Sequence, residues 1–102
     1  MKKRGYIIYQ APRNVEYTFM GFDFAMKHNW SKGDYVAVWR GVVETETVNE
    51  ALEELFEIFN IRQPDCYYAR SLSVSDVVLL DGQLYYCDRI GWSEIPKEKY
   101  GR

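Results

Sequence analysis

Apolar residues along the chain fall into two kinds of block, uninterrupted runs and stripes at helical spacing. The first run, residues 5–10, contains Tyr6, Ile7, Ile8 and Tyr9, strong β formers on both faces, and reads as a strand inside a sheet. Ala11, Pro12, Arg13 and Asn14 end it, because proline cannot donate to a ladder and asparagine favours turns. Residues 15–19 alternate as a strand would, whereas Phe22, Met26 and Trp30 fall on a helical stripe. A short helix over residues 23–28, with Asp23 as its N-cap, accounts for the stripe. A loop follows, and residues 34–41 supply a second strand in which Tyr35, Val36, Ala37, Val38 and Trp39 run without a polar break.

The helix at residues 48–59 carries the clearest pattern. Thr47 and Glu50 form a capping box, in which the hydroxyl accepts from the N3 amide and the carboxylate reaches back to the cap amide. Val48, Leu52, Leu55, Phe56 and Phe59 make one apolar stripe, and Glu50, Glu53, Glu54 and Glu57 lie largely away from it. Asn60 is the expected C-cap, and Pro64 bars continuation. Between residues 71 and 75, Leu72 and Val74 alternate with three serines, which is period-two patterning. Val77, Val78, Leu79 and Leu80 are then apolar on both faces, and Asp81-Gly82 signals a two-residue hairpin. A type I′ turn there sets Leu80 opposite Gln83, Leu79 opposite Leu84, Val78 opposite Tyr85 and Val77 opposite Tyr86. Residues 90–95 add a short edge strand ended by Pro96, and residues 97–102 form a polar, frayed tail.

This order predicts a single α+β domain over residues 1–102. A mainly antiparallel sheet of about four strands is covered by the principal helix at 48–59, with the short helix near 23–28 beside it. The all-apolar strands at 35–39 and 77–80 belong at the sheet centre.

Length and charge narrow the function classes. One hundred and two residues bury one core and leave no room for a second. A net charge of −2 argues against a dedicated duplex-DNA binder. Through residue 43 there are seven Lys/Arg against three acids, and after it six against twelve, a split that reads as solvated faces neutralising one another in the fold. Aromatic residues make up 17% of the chain, which suits a small core, interface anchors or base-stacking platforms. Cys66 and Cys87 match no zinc or CxxC spacing, and His28 is the only histidine. The basic start followed by residues 5–10 is too short for a signal peptide, and no run approaches a membrane span, so a cytoplasmic location with reduced thiols is expected. A Cys66–Cys87 disulfide is disfavoured there.

Candidate chemistry is sparse. Ser71, Ser73, Ser75 and Asp76 form the obvious polar cluster, but they lack the glycines and lysine of a phosphate cradle. Solvent-facing hydroxyls, with Asp76 closing an Asx-type turn, are the plainer reading. His28 suits a helix end bonded to terminal carbonyls better than a catalytic base. The glutamates of the 48–59 helix form a solvated face, and no metal or cofactor site is expected. Tyr35, Trp39, Arg40 and Tyr68 combine aromatic and basic character that could stack single-stranded bases.

The segment Arg70-Ser71-Leu72-Ser73-Val74-Ser75-Asp76-Val77-Val78 resembles the YodL-like family of small bacterial domains, whose hallmark is a Ser-Leu-Ser motif. Residues 55–60, Pro64-Asp65 and the Tyr85-Tyr86-Cys87-Asp88-Arg89-Ile90-Gly91-Trp92 segment extend the resemblance, and Tyr9-Gln10 and Phe22-Asp23 carry it loosely into the first half. The resemblance implies a setting in Firmicutes and their mobile elements and brings no established enzymatic activity. The expected function is a non-enzymatic protein-interaction or regulatory domain, docking a protein partner through Arg70, Ser71, Leu72, Ser73, Ser75 and Asp76. The alternative is a single-stranded nucleic-acid-binding module.

Overall fold

In the computed structural model, which describes residues 1–101, the chain runs β1 (Lys2–Gln10), α1 (Phe22–Lys27), β2 (Val36–Thr45), α2 (Val48–Ile61), β3 (Val77–Leu80), β4 (Gln83–Cys87) and β5 (Trp92–Glu94). The five strands form one sheet in the order β2-β1-β3-β4-β5, every neighbouring pair antiparallel. Asp81 and Gly82 both have positive φ, 51° and 78°, as a type I′ turn requires. The hairpin register that follows is the one the turn chemistry dictates, Leu80 opposite Gln83 through Val77 opposite Tyr86.

The apolar run in β3 has the cause expected of it. Val78 and Leu80 point into a cluster with Tyr6, Ile8 and the α2 residues Leu52, Leu55 and Phe59, while Val77 joins a second cluster with Tyr17, Trp30, Tyr35 and Tyr86. β3 is therefore buried on both faces and sits third of five. β2 is different. Its run was expected at the sheet centre, but it forms an edge, with Val36 and Val42 each more than 60% exposed, at 63% and 65%. It also extends to Thr45, and β1 begins at Lys2, so Arg4 enters the ladder as a buried residue. Arg4 bonds the Asp81 carboxylate and donates to the Glu46 carbonyl at 2.9 Å, tying the hairpin turn to the start of α2.

α2 is built as the capping box specifies. Thr47 accepts from the Glu50 amide at 3.1 Å and its own amide donates to the Glu50 carboxylate at 3.0 Å. Leu52, Leu55 and Phe59 lie fully under the sheet, each worth roughly 1.5–3 kcal/mol of apolar burial. The helix runs two residues past 59, to Ile61, with Arg62 rather than Asn60 at the C-cap. Asn60 instead donates to the Phe56 and Leu72 carbonyls, pinning the chain after the helix.

Residues 11–35 cover part of the opposite face of the sheet. Residues 15–19, which alternate like a strand, form successive turns, because Thr18 donates to the Val15 carbonyl and Met20 to that of Tyr17. α1 starts one residue before Asp23, with Gly21 as N-cap; the capping carboxylate is Asp88, which accepts from the Phe22 amide at 3.1 Å. The tail expected to fray also differs. Lys97–Lys99 forms a 3₁₀ turn, and the Tyr100 hydroxyl accepts from the Leu84 amide at 2.7 Å; Arg102 lies outside the described residues.

The capping box makes a direct stability prediction. Thr47→Ala should lower unfolding stability by about 1 kcal/mol in urea titration, with an unchanged slope.

Candidate functional site

The serine-rich segment is a turn and not a strand. Asp76 donates its amide to the Ser73 carbonyl at 3.0 Å, and Ser75 takes the positive φ, 84°, that the turn demands. The alternation of the sequence therefore has a different cause: Leu72 enters the α2 cluster, and each polar neighbour finds its own partner. Ser75 is fully buried. Its hydroxyl accepts from the Phe19 amide at 2.9 Å, its carbonyl from the Tyr35 hydroxyl at 2.6 Å, and its amide donates to the Cys87 carbonyl at 2.9 Å. One serine thus joins the 11–21 loop, β2's approach and β4.

Asp76 is also fully buried, and its carboxylate is the focus of donors from three directions. Ser73 donates its amide at 2.8 Å, Gln10 its side-chain amide at 3.1 Å, and Arg70 its guanidinium at 3.1 Å. Arg70 also donates to the Ala11 carbonyl at 3.1 Å and lies over the Phe19 ring. Desolvation outweighs these favourable contacts and pushes Asp76 up to about 6. Of the six residues expected to dock a partner, Leu72, Ser75 and Asp76 face inward, Arg70 and Ser73 are half-buried, and Ser71 is exposed. Gln10, the residue missed here, ends a strand of apolar residues, where a polar side chain marks a waiting acceptor.

The aromatic and basic residues expected to stack bases do not converge. Tyr35 is buried between Tyr17 and Trp30. Trp39 packs edge-on against Phe59 and Tyr67, on the α2 side of the sheet. Arg40 stands opposite Ile7 and opens onto the other face, and Tyr68 is 91% exposed, next to the Tyr67 that Trp39 touches.

The sheet offers a different accessible surface. Residues 11–35 leave one end of its second face uncovered, where Gly5, Ile7 and Leu79 floor an open depression of about 620 Å³ walled by Arg40, Val42 and Asp81. Gly5 contributes no side chain to fill it, and nothing lies within 4 Å of where its Cβ would be. Arg40, Val42 and Glu44 alternate along β2 on that face, beside the open strand edge.

Reactive groups are held apart from this surface or pacified. His28 places Nδ1 2.7 Å from the Phe24 carbonyl and stacks on the Phe24 ring, as a helix-end histidine does. Cys66 is exposed; Cys87 is buried, and desolvation, with Asp76 and Asp88 nearby, pushes its thiol up to about 12. Among the described residues no three His, Cys, Asp or Glu side chains are placed to share a metal ion. Asp88 sits below its ordinary value: burial raises it, but donation from the Phe22 and Arg89 amides and from Ser93 outweighs burial.

Two measurements check this geometry. A carboxyl whose folded value exceeds its unfolded 3.8 holds its proton longer in the native state, so stability is full below 3.8 and falls as pH rises towards 6. The wild type should lose roughly 2 kcal/mol relative to Asp76→Asn between pH 4 and pH 7, and the opposite trend from Asp88 cancels because both proteins share it. Thiol titration should find one fast-reacting group, Cys66, in the native protein and a second only after denaturation.

The sequence model of the YodL-like domain matches residues 5–97, from within β1 through β5 and into the final 3₁₀ turn. No curated protein and no solved structure matches the chain. No helix among the described residues is long and apolar enough to cross a membrane. The match takes in both helices and the whole knot at 70–76, and the chain belongs to the YodL-like domain family.

Proposed function

We propose that this YodL-like domain is a non-enzymatic protein-interaction or regulatory module of a bacterial cytoplasm, of bacterial or mobile-element origin, and that it binds through the β2 edge and the uncovered end of the sheet. The carrying observation is an edge strand of ten residues beside an apolar floor that none of the described residues covers. An open edge supplies unpaired backbone donors and acceptors, and alternate side-chain positions supply selectivity, which is how added strands are recognised. Most of the 70–76 segment is occupied in holding the fold together, so its role is to position β1 and β3 beneath that surface.

The nucleic-acid alternative has less support. Its four residues are spread over a buried cluster, two sheet faces and a loop, so they cannot stack successive bases of one strand.

Val42 is exposed enough to change without cost to the core. Val42→Glu should keep the native circular dichroism and lose a partner captured from bacterial lysate, whereas Ser71→Arg should retain it. Retention by Val42→Glu with loss in Ser71→Arg would move the interface to the 70–76 segment and sink the proposal.

A further inference from the structure

We infer that β2 is the seam of a homodimer, two copies joining their sheets antiparallel about a two-fold axis through Val42. The inference rests on the protein-interaction reading above and names its partner. β2 carries an irregularity near its start, where the pairing with β1 shifts between Ile8 and Tyr9 and leaves Val38 without an opposite residue. Beyond it, residues 39–45 pair with residues 2–8 of β1 without interruption. Val42 is the midpoint of that regular segment. It is 65% exposed, and the segment holds no proline or lysine, the residues that usually blunt an edge.

A second copy laid antiparallel with Val42 opposite Val42 sets Arg40 against Glu44, twice by symmetry. The same register places Trp39 against Thr45 and the side-chain-free Gly41 against Val43. Opposite charges, paired β-branched residues and aromatic against β-branched residues are the combinations that stabilise antiparallel neighbours. Other centres lose this match: an axis at Arg40 or Glu44 sets a charge against its own copy, and one at Gly41 sets Arg40 against Val42. Among the described residues neither Arg40 nor Glu44 has an ion pair or side-chain hydrogen bond of its own, and Lys3, across the ladder from Glu44, does not close one. Both charges are therefore free to serve a neighbour.

The geometry also closes. An axis normal to the sheet keeps α2 of both copies on one side and merges the two open floors on the other. The product is a ten-stranded sheet ending at both sides in β5, a strand of three residues too short to recruit a further copy.

Sedimentation velocity over a concentration series tests the inference. A reversible dimer with a micromolar or weaker dissociation constant is expected for so narrow a seam. Arg40→Glu and Glu44→Arg should each weaken it by roughly tenfold, since each turns two attractive pairs into two repulsive ones, and the double exchange should restore it. Val42→Cys in a Cys66→Ser background should form a covalent dimer on mild oxidation, because symmetry brings the two new thiols together. A monomer at up to about 1 mM, a dimer indifferent to the charge reversals, or no Val42→Cys cross-link overturns the homodimer. A monomer that still loses a foreign partner with Val42→Glu overturns the homodimer alone and leaves the interaction reading standing.

Discussion

The buried carboxylate of Asp76 is the constraint on which the arrangement of this domain depends. It lies at the entry to the central strand, and the groups that satisfy it come from the end of β1, from its own turn and from the loop after α2. An ionised carboxylate without those donors could not remain inside, because desolvation would cost several kcal/mol. The donors in turn are fixed by it. Gln10 also donates to the Arg70 carbonyl at 2.9 Å, and Tyr67 donates to the same oxygen at 2.7 Å, so the loop closes back onto the strand it satisfies. Ser75 extends the knot to the 11–21 loop on the other face. The two apolar clusters are therefore held in register by a polar hinge between them.

That division of labour explains why the family signature and the accessible surface do not coincide. A Ser-Leu-Ser segment whose leucine is buried and which leads into the buried Ser75 and Asp76 has little left to offer a partner. The open sheet end, by contrast, has little of a motif's character: a glycine, two aliphatic residues and a rim of alternating charge. Binding surfaces made from backbone edges depend on register and exposure, which short motifs do not record.

Local chemistry was legible in the sequence, and tertiary placement was not. The Asp81-Gly82 turn and the Thr47 capping box each depend on residues within a few positions of one another, and both appear as read. The run at 35–39 misled because apolar character on both faces arises equally from a central strand and from an edge that remains unpartnered. The alternation at 71–75 misled because two inward side chains, Leu72 and Ser75, go to different destinations, one to α2 and one to Phe19. Tyr100 was invisible for a similar reason: one aromatic in a polar tail finds the Leu84 amide only once β4 exists. Of the candidate site, the sequence located the polar cluster, but the exposed row at Arg40, Val42 and Glu44 depends on which neighbour β2 lacks.

The cap on α1 has a temporal consequence. A six-residue helix has no stability of its own in water, and the carboxylate that completes it lies 66 residues downstream. During synthesis residues 22–27 therefore lack their capping carboxylate until Asp88 has left the ribosome. β1 likewise lacks one of its two flanking strands, β3, until that strand has emerged. Assembly of this domain therefore depends on closure of long loops, and its rate should be set by topology more than by the helix that forms most readily.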